Sequence, residues 1–129
     1  MNGIGNRRDM GGRFGTSSRN HSLSFDEVER QGVVKFNPPE MCQSGMAIGI
    51  SSSSDCLKIA SVLASALTGE FQTEIKDNGA IVSARPVRDR DAKEGIMIEV
   101  KNDRNEAIRI SAADAKEAIT VLNGLARNI

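Results

Sequence analysis

The sequence predicts an α+β domain, an antiparallel sheet with two amphipathic helices on one face, in the order β-β-α-β-β-β-β-α. Three observations predict it. Its 129 residues suit one domain. Short β-branched runs alternate with polar turns. Two Ala-rich segments each open on a Ser-x-x-Asp box and continue with apolar residues at helical spacing.

Residues 1–24 hold five of the 12 glycines, with Arg7, Arg8, Arg13 and Arg19 against one acid, Asp9. This composition predicts a flexible tail, leaving 25–129 as the folded domain. Val33-Val34-Lys35-Phe36, stopped by Pro38-Pro39, predicts a first strand over 32–37. Gly45 to Ile50 reads as a second. Ser52 with Asp55 caps a helix running to Thr68, with Cys56, Ile59, Ala60, Leu63, Ala66 and Leu67 as its apolar stripe and Gly69 as its stop.

Two hairpins follow. Strands Phe71 to Lys76 and Ala80 to Arg85 flank Asp77-Asn78-Gly79, whose Asn-Gly pair favours positive φ in a tight turn. Strands Gly95 to Lys101 and Glu106 to Ile110 flank a polar loop at 102–105. The charged stretch Pro86 to Glu94 connects them. A last helix opens at Ser111, with Asp114 as box partner, and runs to Arg127. A shift of 59 superposes the first helix on this one, and a shift of 60 superposes Ala47-Ile-Gly-Ile-Ser51 on Ala107-Ile-Arg-Ile-Ser111. Such an echo predicts a duplicated architecture.

Composition excludes several function classes. No apolar run approaches the roughly 18 residues of a membrane span. Two distant cysteines, Cys42 and Cys56, predict a reduced, cytoplasmic chain without a disulfide scaffold or zinc cage. His21, the one histidine, falls in the expected tail, so neither a catalytic triad nor a metal centre is predicted, and no cofactor. Asp89, Asp91 and Glu94 are interleaved with Arg88, Arg90 and Lys93, which opposes cation binding. Ser51 to Ser54 lack the spacing of a phosphate loop.

Recognition remains. Strand parity in the second half sets Ile98, Val100, Ile108 and Ile110 inward. A helix-free face displaying Lys76, Arg85, Lys101 and Arg109, diluted by Glu74 and Glu99, is expected to follow a phosphate backbone despite zero net charge. Arg88, Arg90 and Lys93 extend the track, and Arg7, Arg8, Arg13 and Arg19 add contacts from the tail.

Residues 70–129, four strands entering a helix through Ala107-Ile-Arg-Ile-Ser-Ala-Ala-Asp-Ala115, resemble the Whirly-type single-stranded-DNA-binding domains and the related small transcriptional coactivators. The whole chain also resembles small phage-type single-stranded-DNA-binding proteins, which would place it in a host cytoplasm. The resemblance implies a non-enzymatic, sequence-tolerant single-stranded DNA-binding protein acting in transcription or replication. It also implies helices that make a pairing core, and base stacking that falls to Phe36 and Phe71. Ala-rich helix stripes in so small a domain predict a homodimer or tetramer. The alternative is a protein-interaction module that oligomerises through its helices and binds no nucleic acid.

Overall fold

The computed structural model describes residues 13–17, 20–37, 45–88 and 97–129. The class is α+β, as expected. Its elements are β1 (Arg13–Ser17), β2 (His21–Asp26), β3 (Gln31–Phe36), β4 (Met46–Ile50), α1 (Ser53–Leu67), β5 (Gln72–Ile75), β6 (Ile81–Val87), β7 (Met97–Lys101), β8 (Ala107–Ser111) and α2 (Ala112–Asn128). Eight strands therefore replace the expected six, in two antiparallel meanders, β1-β2-β3-β4 and β5-β6-β7-β8, instead of one sheet. Four strands followed by a helix occur twice in the chain. The expected tail is corrected in the same way, since β1 and most of β2 lie within residues 1–24.

Alternation builds each sheet. Along β2 the side chains of His21, Leu23 and Phe25 point into the core, and Val34, Phe36, Met46, Ile48 and Ile50 continue that face. In the second sheet Val82, Ala84, Ile98, Val100, Ile108 and Ile110 do the same. Phe36, assigned above to base stacking, is fully buried here and leaves the list of binding residues. Gly32 opposes Phe25, and a Cβ at Gly32 would stand 2.2 Å from the Ser24 carbonyl oxygen, so only glycine fits that approach.

Both helices begin as the sequence predicts. Ser52 Oγ accepts from the Asp55 amide at 3.1 Å, and Ser111 Oγ from the Asp114 amide at 3.0 Å. Gly69 closes α1 at φ +94. The helices pack on each other within the chain, so their stripes are buried without a second copy. This corrects the argument for pairing between chains.

The two units are tied together by crossed contacts. α1 belongs to the first unit, yet among the strands it packs chiefly on β5 and β6 of the second, while α2 reaches back to β2. There the buried His21 Nδ1 lies 2.5 Å from Asp114 Oδ1. Asp55, also buried, accepts from the amide and hydroxyl of Ser51, each at 2.9 Å, and from the Asp77 amide at 3.0 Å. Ser52 Oγ donates to Asp77 Oδ2 at 2.6 Å. That bond, and next the Lys58 ammonium nearby, holds the Asp77 carboxyl below its usual range. Finally, the turns of the second sheet cover the free edge of β4. Asn102 Nδ2 donates to the Ala47 carbonyl at 3.1 Å and Lys76 Nζ to the Gly49 carbonyl at 2.9 Å.

Candidate nucleic-acid interface

The face of the second sheet turned away from the helices carries the candidate site. Register fixes it in rows. Ile75 opposes Ile81 across β5 and β6. Thr73, Ser83, Lys101 and Ala107 form the next row across all four strands. Arg85, Glu99 and Arg109 form the one beyond it. Phe71 precedes β5 at the head of that last row and is 65% exposed. Phe71, Ser83, Arg85, Glu99 and Lys101 together line a shallow concavity of about 250 Å³.

The electrostatics are those of an alternating triplet. Arg85 Nε donates to Glu99 Oε1 at 2.8 Å, and Arg109 stands opposite Glu99 on its other side. Glu99 thereby orients Arg85 but also occupies it, so an incoming phosphate competes with this carboxylate.

Of the residues predicted for this face, Arg85, Lys101 and Arg109 are brought together on the second sheet and are exposed, and Phe71, named above for base stacking, joins them there. Arg88 follows the end of β6 and is exposed as well. Lys76 is not on the face. It is buried at the seam between the units, and Glu74 likewise points away. The error is one of parity in β5, whose helix-facing side is polar instead of apolar. Ser65 of α1 donates to Gln72, Gln72 Nε2 donates to Ser61 Oγ at 2.8 Å and to Glu74 Oε2 at 2.6 Å, so α1's serines satisfy that side. Thr73 and Ile75 turn outward instead. Cross-strand register would have shown this, because Ile81 and Ser83 share a face with Arg85 and lie opposite Ile75 and Thr73.

Arg13 lies in β1, paired with Asp26 in the register, and not in a free tail. Arg7, Arg8, Arg19, Arg90 and Lys93 lie outside the described residues. Ile75, Ile81 and the exposed Lys35 of β3 were missed. The turn at 77–79 forms as expected, although only Gly79 takes positive φ, at +89, while Asn78 caps it by accepting from the Ala80 amide at 2.9 Å.

Among the described residues no group of three His, Cys, Asp or Glu is placed to hold a metal ion, and no helix is long and apolar enough to cross a membrane. Comparison with family models, curated proteins and solved structures finds no match for the chain.

Proposed function

We propose that this chain is a non-enzymatic single-stranded nucleic-acid-binding protein that uses the outer face of its second sheet. One observation carries the reading: an exposed aromatic ring, Phe71, shares a shallow concavity with Arg85 and Lys101 on a sheet face that, among the described residues, no helix covers. A base stacked on such a ring contributes about 1–3 kcal/mol whatever its identity, and the cations follow the backbone. Ile75 and Ile81, one row beyond Thr73 and Ser83, form a second apolar patch on that face and give further bases a dry surface. Recognition of this kind is sequence-tolerant and salt-dependent. Four strands and a helix present twice support the resemblance to Whirly-type domains, which directs the reading to DNA and to strands unwound in transcription or replication.

Fluorescence anisotropy with labelled single- and double-stranded oligonucleotides over a salt series tests it. Single strands should bind more tightly, with affinity falling linearly in log salt. Absence of salt-dependent binding to any oligonucleotide defeats the proposal. A second reading, the interaction module, is favoured by Leu57, which is 52% exposed on α1. Under that reading the chain assembles through α1, and sedimentation would show a species above 13.9 kDa whose assembly Leu57→Lys abolishes.

A further inference from the structure

A second cavity, of about 270 Å³, opens where the two units meet. Gln31, Gly49, Ser51, Asp55, Lys76 and Asn78 line it. Lys76 is only 6% exposed. Its ammonium, with three donors, gives one to the Gly49 carbonyl at 2.9 Å, a neutral acceptor. Among the described residues no carboxylate lies within ion-pair distance of it. Asp55, on the same cavity, already accepts from Ser51 and Asp77.

A buried cation so sparsely bonded gains most from an anion delivered to it. The approach is open, because Gly49 presents no side chain on the exposed face of β4, where a Cβ would come 3.8 Å from Lys76 Nζ. Resting on the nucleic-acid reading above, we infer that this seam cavity takes one phosphodiester of the bound strand. One oxyanion lies against Lys76 Nζ, and the Gln31 and Asn78 amides serve as neutral donors. The nearby Asp55 charge disfavours a dianion, so the site selects an internal phosphodiester over free or terminal phosphate.

Two variants test this on the full chain. Lys76→Met removes the charge at similar length. Gly49→Val leaves the ammonium in place and fills its approach with a residue suited to an exposed strand position. Each is compared with wild type by single-strand titration over a salt series, with thermal melts alongside. Both variants should reduce the slope of log affinity against log salt by about 0.7, the amount for one phosphate on a single strand. Inorganic phosphate should not compete at matched ionic strength. If Lys76→Met does not fold, Gly49→Val decides alone. Wild-type slopes in the folded variants overturn the inference while leaving the binding reading intact. Competition by inorganic phosphate assigns the seam to free anions and also overturns it. A wild type that binds no oligonucleotide defeats both.

Discussion

The two four-strand units share their inward chemistry and differ outward. In each, a serine caps the helix and aliphatic side chains alternate into the core. The outer face of the first sheet, however, carries Ser22, Ser24, Val33, Ala47 and Gly49, with Lys35 as its charge away from the β2–β3 turn. That of the second carries Ile75, Ile81, Arg85, Glu99, Lys101 and Arg109. The inner faces differ in bulk, and each admits polar groups at one strand, His21 in β2 and Gln72 with Glu74 in β5. The second strand of the first sheet brings Leu23 and Phe25, and its counterpart brings Val82 and Ala84, small residues that admit the close approach of α1. Packing constrains what points inward in both units, and only the outward positions were free to diverge into one bland face and one equipped face.

The largest expected effect comes from breaking one unit to see whether the other survives. Deleting residues 1–24 removes β1, His21 and Leu23, and because α1 and α2 both straddle the units, the whole cooperative melt should vanish. Circular dichroism showing a helical remnant that melts on its own would prove the units independent. Phe25→Ala, a milder cut, should cost about 3–5 kcal/mol in denaturant titration.

The functional difference is sharpened by reversing charge on each face in turn. Arg85→Glu with Arg109→Glu should weaken single-strand binding at least about tenfold, about 1.4 kcal/mol, in a folded protein. Ser22→Glu, on the outer face of the first sheet in the row of Lys35 and not in that of Gly49, should change it by less than about twofold. Equal losses would dissolve the distinction between the faces.

Smaller effects separate the two caps. Ser111→Ala should cost about 1 kcal/mol, and Ser52→Ala more, because Ser52 also holds Asp77 across the seam. The Asp77 carboxyl, depressed in the fold, contributes stability that is present above its usual 3.8 and lost as pH falls through its lower folded value. Asp77→Asn should therefore flatten the acid limb of the stability profile by lowering the neutral plateau, while leaving the stability below the folded value in place. The smallest change is expected at Cys56, whose thiol burial, aided by Asp55, pushes up to about 11. Thiol reagents should leave it unmodified until the protein unfolds.

Periodicity made eight of these elements legible, from the strand at Val34 to the C-terminal helix, because capping and alternation are local. β1 and β2 were hidden by composition. His21-Ser-Leu-Ser-Phe-Asp26 alternates as a strand should, yet its surroundings of Gly, Asn and Arg read as a tail. Arg85, Lys101 and Arg109 were legible because alternation from a buried neighbour fixes them, whereas Phe71, read as the first residue of its strand, was tied to binding by the resemblance alone. Lys76 was not, since its place depends on the β4 edge of the other unit, which no local pattern reveals. The division into two sheets was invisible for the same reason.

The crossing of helices between units has a consequence for how the chain reaches this state. His21 meets Asp114 across a sequence separation of 93 residues, and α1 rests on strands that are synthesised after it. A nascent first unit therefore leaves the ribosome with its apolar faces uncovered and waits for the last helix. Nucleation depends on closing long loops, which places the chain among slow folders for its size. During that interval its strands are open to wrong partners, and the cell must supply either dilution or a chaperone.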